Sequence, residues 1–395
     1  MIRVAHILSY FPGQEGLTSF CRGLGAAFED VEGIDVPIIT FRAKPVRKAT
    51  GKEPPQIKFP HHNRHPFDLP KAFLNALDSK ELELDGAVLH GTYSPQVFAQ
   101  ARALHRRGIP YIFVPHDPYV RTLQKHKAFR KFLYWHCCEK WVIQHAAAVQ
   151  LLSSEHEGPL REQGITTPVF TVANGCDTDD LVHLAPDSRI PGCEEDFRIQ
   201  YLGRMDRNHK GLDLLIKGYA QFLKKVGSSK RIQLVLSGND WEDRGFLEDL
   251  ANSLHLGANI LFTGRLPEHS ITIHSRADLC VLASRFDGFG LTIVEAMMAS
   301  RPVLVSTRAG IANHVRKSNG GFLVEPDPKS IAEGLLEAWR QRNFLKEIGV
   351  KGHQYVTREL TWASIAAQSA AAYTKFFPLD EGRNATDSKI EKFNF

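Results

Sequence analysis

The chain has 395 residues, 43% hydrophobic and 24% charged, with a formal net charge of +5. That length and balance predict two soluble domains with substantial cores and exclude a fibre or a disordered chain. So small a charge, with no zinc-finger, RNP or basic-zipper pattern, argues against nucleic acid as a partner.

The apolar opening run is interrupted by His6 and Ser9 and lacks the flanks of a signal peptide, so Val4–Tyr10 reads as a first strand. Gly23-Leu24-Gly25 follows inside a helical pattern rather than at a strand-to-helix turn, which disfavours a dinucleotide site. After the run Val36–Phe41, the basic, Pro-containing stretch Arg42–His65 predicts a mobile loop. Its His61, His62 and His65 read as solvated side chains rather than metal ligands. Further β-rich runs fall at Gly86–His90, Tyr111–Val114, Ala148–Leu152 and Val169–Val172. Between them, Arg121–Trp141 mixes basic and aromatic residues, and on one helix it predicts either a solvated basic face or a peripheral contact with an anionic membrane.

A loop rich in Asp, Pro and Gly, Asp177–Gly192, separates the halves. Asp177-Thr178-Asp179 within it has the form of a DxD metal motif, but its place beside Asn174-Gly175 reads as a turn, so no metal is expected. The series then restarts with Phe197–Leu202, Gln233–Ser237, Asn259–Phe262, Leu279–Ala283, Pro302–Ser306 and Phe322–Val324, and ends in helical patterns through Ser330–Arg342, Asn343–Thr357 and Thr361–Phe376. Strands alternating with helices predict parallel sheets, so the fold class is α/β with two doubly wound domains. The boundaries expected are 1–185, joined by 376–395, and 186–375. No run approaches the roughly 20 apolar residues of a membrane span. The six cysteines form no CxxC, which fits reduced thiols and a cytoplasmic setting.

Chemistry concentrates in two stretches beyond strands of the second half. In Gly203-Arg204-Met205-Asp206-Arg207-Asn208-His209-Lys210-Gly211, Arg204 can fork onto phosphate oxygens and Lys210 supplies a compact charge. Together they could stabilise a departing diphosphate without a metal. In Asp287-Gly288-Phe289-Gly290-Leu291 the glycines admit a ligand to backbone amides at a helix start. Glu295, one turn further, can accept a pair of vicinal hydroxyls such as those of a ribose. Taken singly, each of these residues also reads as a surface charge or a helix cap.

These stretches resemble the retaining glycosyltransferase family 4 of the GT-B fold, whose members carry a G-R…K-G element and an E-x(7)-E motif. Gly203-Arg204, Lys210-Gly211 and Phe289-Gly290-Leu291…Glu295-Ala296-Met297 match; Asp287 stands where the first Glu is expected, one methylene shorter. Similar matches are Pro168–Asp177 at the domain junction, Leu236-Ser237-Gly238 and Gly264-Arg265-Leu266, and the likeness covers most of residues 140–375.

The resemblance implies a nucleotide-diphosphate sugar donor, UDP-glucose or a close relative, and a saccharide or lipid-linked acceptor bound by the first domain. Arg204 and Lys210 would hold the diphosphate, Glu295 the ribose, and Asp287 with the amides of Gly288, Phe289, Gly290 and Leu291 the sugar. Gly203 and Gly238 would belong to the donor-binding site, Arg265 and Leu266 would flank the nucleobase, and His116 would lie beside the donor sugar. Gly16, in a loop after the first strand, would approach phosphate and acceptor. The setting implied is bacterial polysaccharide or glycolipid assembly at the inner face of the plasma membrane, with no cofactor. Two other readings stay open: an epimerase of the same fold, and a non-catalytic sugar-nucleotide-binding protein.

Overall fold

The computed structural model describes residues 1–8, 15–41, 56–60, 65–116, 119, 128–177, 197–227, 231–240 and 242–377. Two parallel sheets organise them. The first holds β1 (Ile2–Leu8), β2 (Ile34–Asp35), β3 (Ile38–Thr40), β4 (Gln56–Lys58), β5 (Gly86–His90), β6 (Tyr111–Val114), β7 (Ala148–Leu151) and β8 (Val169–Thr171). Its order is β4-β3-β1-β5-β6-β7-β8, with β2 beside β1. The second holds β9 (Phe197–Leu202), β10 (Ile232–Ser237), β11 (Ile260–Gly264), β12 (Leu279–Leu282), β13 (Val303–Ser306) and β14 (Gly321–Val324), ordered β11-β10-β9-β12-β13-β14.

Both sheets are buried on two faces, which explains why their strands read as nearly continuous apolar runs. In β1, Val4 and Leu8 join one core layer while Ala5 and Ile7 join the opposite one. Strand order reverses between β9 and β12, so the helices following them leave on opposite faces and a crevice opens at the carboxyl ends. The first sheet reverses in the same way between β1 and β5.

Two expectations need correction. Gln56–Lys58 lies in the stretch read as a loop, yet it forms β4 on the edge of the first sheet. An edge strand has one partner and keeps polar, half-exposed residues, so it leaves no apolar run to read. Of the rest of that loop only residues 59, 60 and 65 are described; His61 and His62 lie outside the described residues. Gly16 sits in the first turn of the helix Glu15–Phe28 rather than in a loop. Within Arg121–Trp141, the described residues lie on one continuous helical run, Ala128–Tyr134 and Lys140–Gln144 joined through a π-turn at Trp135–Glu139, and residues 121–127 are not described.

The C-terminal helices cross back to the first domain. The helix Trp362–Phe376 itself packs against Glu15–Phe28, whereas the expected return segment lies almost wholly outside the described residues. Glycines make room for this crossing. A Cβ on Gly23 would stand 2.1 Å from the Trp362 ring, one on Gly175 2.5 Å from it, and one on Gly86 2.5 Å from the Phe377 ring. Gly23 is therefore a seat for an indole, which accounts for the first glycine of Gly23-Leu24-Gly25 inside a helix. The backbone of Cys176 pairs with Leu360 and Trp362, tying the domain junction to the start of the same helix.

Candidate functional site

The loops after β9 and β12 flank the point where the second sheet reverses, and the structure stitches them together. Asp206 caps the short helix Arg207–Lys210, accepting from the amides of Asn208 (2.9 Å) and His209 (3.0 Å) and from His209 Nδ1 (2.6 Å). Burial raises the Asp206 carboxyl, but these hydrogen bonds outweigh it and bring the pKa down to about 2. Gly211 then turns the chain with φ +63°, and a Cβ there would stand 2.3 Å from the Ala283 carbonyl. The amide of Arg285 donates to the His209 carbonyl at 2.9 Å. Arg285 also grips Asp213 through both terminal nitrogens at 2.8 Å each.

That stitching brings Lys210 and Asp287 into contact, Nζ to Oδ2 at 2.5 Å, with only 20% and 10% of the two side chains exposed. Around them the backbone is packed too closely for side chains. A Cβ on Gly238, at φ +141°, would stand 1.8 Å from the Gly203 carbonyl, and one on Gly310 2.4 Å from the Gly288 carbonyl. Gly238 donates to Gly264 at the end of β11, which places Arg265 and Leu266 on the same rim. Gly290 takes φ +101° and begins the helix Leu291–Met298, whose fifth residue is the half-buried Glu295. Phe289 is buried against His314, and Arg204 is exposed, its carbonyl accepting from the Tyr201 hydroxyl at 2.6 Å.

His116 lies two residues beyond β6 on the first sheet, with φ +64°. A non-glycine residue in the left-handed region costs free energy and persists only where its surroundings impose it. Its Nε2 is 2.9 Å from His90 Nδ1. The first domain reaches the second-domain cluster at His156, whose ring is close enough to Asp287 for that residue's charge and backbone to act against the lowering of its pKa by burial. His156 escaped the sequence reading because its role depends on a contact across 131 positions of chain, in a segment without a motif. Of Asp177-Thr178-Asp179, only Asp177 lies among the described residues. A separate hollow of 320 Å³ at the domain boundary is lined by Ser153, Thr171, His314, Lys317, Tyr355 and Glu359 among others; none of the expected site residues lines it.

The buried histidines give folding a defined pH dependence. Burial is the largest cause in lowering His6 and His274 to about 3, and His116, His156 and His314 to about 4. The unfolded chain takes up these protons near pH 6.5, whereas the folded chain takes them up only well below that, so stability is full above about pH 6.5 and falls toward pH 3–4. Asp206 adds to this only below its unfolded value of 3.8. Urea unfolding should therefore show a lower midpoint at about pH 5 than at about pH 7.5, and equal midpoints would contradict the buried neutral imidazoles.

Comparison with known proteins follows the same division. The family model for glycosyl transferases group 1 matches residues 188–354, and that for a glycosyl transferase 4-like domain matches residues 15–175. Mannosylfructose-phosphate synthase of Agrobacterium fabrum is 26% identical over 43% of this chain and 38% of its own length. The putative glycosyltransferase EpsD of Bacillus subtilis is 22% identical over 71% of this chain and 73% of its own. The match thus spans well under half of the first relative and nearly three quarters of the second. Among solved structures, sucrose-phosphate synthase from Thermosynechococcus elongatus superposes with a TM-score of 0.71 at 20% identity, covering 95% of this chain and 99% of that one. HepE of Anabaena, in complex with UDP and glucose, gives 0.70 at 17%, covering 95% and 100%. With one matching model on each half and the two-sheet GT-B fold throughout, the chain belongs to the group 1 glycosyl transferases with a family 4-like first domain.

Proposed function

We propose that this chain is a retaining, metal-independent glycosyltransferase that moves a hexose, with glucose from UDP-glucose as the leading donor, to a saccharide or lipid-linked acceptor. The observation that carries the reading is the Lys210–Asp287 pair at the switch point of the second sheet. A cation and a carboxylate held side by side there suit a diphosphate and the hydroxyls of the sugar attached to it. HepE, a neighbour in fold, has been solved with UDP-glucose. That complex supports the choice of donor to test first.

In this reading Arg204 and Lys210 neutralise the diphosphate, and Glu295 takes the ribose hydroxyls. Asp287 and the amides from Gly288 to Leu291 hold the sugar, with His116 and Gly16 approaching from the first domain. The bond from the anomeric carbon to the phosphate oxygen breaks through an oxocarbenium-like state, and the charge left on the diphosphate is met by both cations. The acceptor hydroxyl bonds to that carbon on the face the phosphate leaves, and its proton passes to the departing phosphate oxygen. No protein nucleophile and no metal enters this scheme.

The helix Ala128–Tyr134 supports a further part of the reading, peripheral attachment to an anionic membrane during polysaccharide or glycolipid assembly. Trp135 is buried as a solvated-face reading requires, but Phe129, Phe132 and Leu133 are exposed by 79%, 63% and 54% beside Arg130 and Lys131. Apolar side chains flanked by cations are what an anionic bilayer binds. No helix among the described residues is long and apolar enough to cross a membrane.

Melting, turnover and sedimentation measurements test these readings. Saturating UDP-glucose should raise the melting temperature, and Lys210→Ala and Arg204→Ala should each cut turnover by roughly a hundredfold or more without loss of fold. Near-normal rates in both variants would remove the diphosphate assignment, and free nucleotide without epimerised donor would exclude the epimerase. The protein should sediment with anionic liposomes at low salt and lose this in Phe129→Ser/Phe132→Ser; failure of the parent chain to sediment would contradict the attachment.

A further inference from the structure

Three histidines lie on one face of the first sheet, at positions where the pattern calls for apolar side chains. His6 faces the same layer as Val4 and Leu8 in β1, and His90 the same layer as Val88 in β5; His116 follows Val114 of β6 by two residues. The strands are neighbours, with His6 opposite Val88 and His90 opposite Val114. The rings join in a line: His116 Nε2 to His90 Nδ1 at 2.9 Å, His90 Nε2 to His6 Nδ1 at 3.0 Å, and His6 Nε2 to the Tyr373 hydroxyl at 3.0 Å. His6, His90 and Tyr373 are buried, under Phe20, which meets His90 and His116 edge-on, and Phe28, which stacks on Tyr373.

A neutral imidazole has one donor and one acceptor nitrogen, so one choice at the end of the line sets every ring. Burial is the main reason that all three rings stay neutral at physiological pH. The phenol is a better donor than a neutral imidazole N–H, and an imidazole nitrogen a better acceptor than a phenol oxygen. The line therefore runs from Tyr373 outward: Tyr373 donates to His6 Nε2, His6 Nδ1–H to His90 Nε2, and His90 Nδ1–H to His116 Nε2. His116 is left with its proton on Nδ1.

We propose that Tyr373, His6 and His90 are positioning residues that lock His116 as the Nδ1–H tautomer, so that it offers a single hydrogen-bond donor to the sugar of the bound donor. The role given to His116 rests on the transferase reading above, whereas the lock itself does not. Because Tyr373 rides on the helix Trp362–Phe376, docking of that helix sets the protonation pattern of a site residue two strands away on the same face. Each link polarises the next, so loss of the terminal hydroxyl is felt at the far ring.

The test uses the full chain labelled with ¹⁵N-histidine. Long-range proton–nitrogen spectra of the free protein should place His6, His90 and His116 in the Nδ1–H form. Tyr373→Phe, which keeps the ring on Phe28, should return His116 to a mixture of tautomers and lower kcat roughly tenfold, with KM for the nucleotide sugar nearly unchanged. His90→Gln, which can accept from His6 and donate to His116, should keep more activity than His90→Leu. An Nε2–H His116 in the parent chain, or an unchanged His116 spectrum in Tyr373→Phe, would overturn the proposal. The spectra need no substrate, so an absence of turnover with every donor would sink the transferase reading while the tautomers still decide the lock.

Discussion

The contact between Lys210 and Asp287 joins two segments 77 positions apart, and most of the site's architecture serves to make it. A mostly covered ion pair survives only where close geometry repays the loss of water around both charges. That geometry comes from the second sheet: β9 and β12 are neighbours at its point of reversal, and their exits are bonded from His209 to Arg285. Glycines at 211, 238 and 310 let the backbones close to distances that a Cβ would forbid. Asp287, a methylene shorter than the glutamate of the related motif, is held against Lys210 in this arrangement. The motif therefore keeps its charge while one of its two acids is anchored to the neighbouring loop.

The same region is where the two halves of the molecule meet. His156 lies within electrostatic reach of Asp287, and Glu155 beside it lies 3.9 Å from Arg316 of the second half. The helix Trp362–Phe376 adds a second tie, with its indole seated on Gly23 and Gly175 and its tyrosine at the end of the histidine line. Movement of one half against the other must break or carry these contacts, so domain position and site chemistry are coupled through a few named side chains.

Much of this was legible in the sequence. The buried parallel strands were readable as apolar runs because both faces of each sheet are covered, and the glycines and charges of the loops after β9 and β12 stood out at strand exits. What stayed hidden depends on partners distant in the chain. His6 interrupts an apolar run and reads as noise until β5 and the last helix bring His90 and Tyr373 beside it. Gly23, inside a helical pattern that argues against a dinucleotide turn, has no evident use until Trp362 fills it. The edge strand β4 has too little burial to leave a pattern, and the π-turn at Trp135–Glu139 lengthens a helical repeat by too little for periodicity to register.

The central claim is that the Lys210–Asp287 pair is the seat of a diphosphate, and a crystal structure of the chain with bound nucleoside diphosphate tests it most directly. The account predicts a phosphate oxygen within hydrogen-bond distance of Lys210 Nζ, the ribose on Glu295, and Asp287 released toward the position of the missing sugar. A nucleotide bound elsewhere, with Lys210 and Asp287 still in contact, would contradict it.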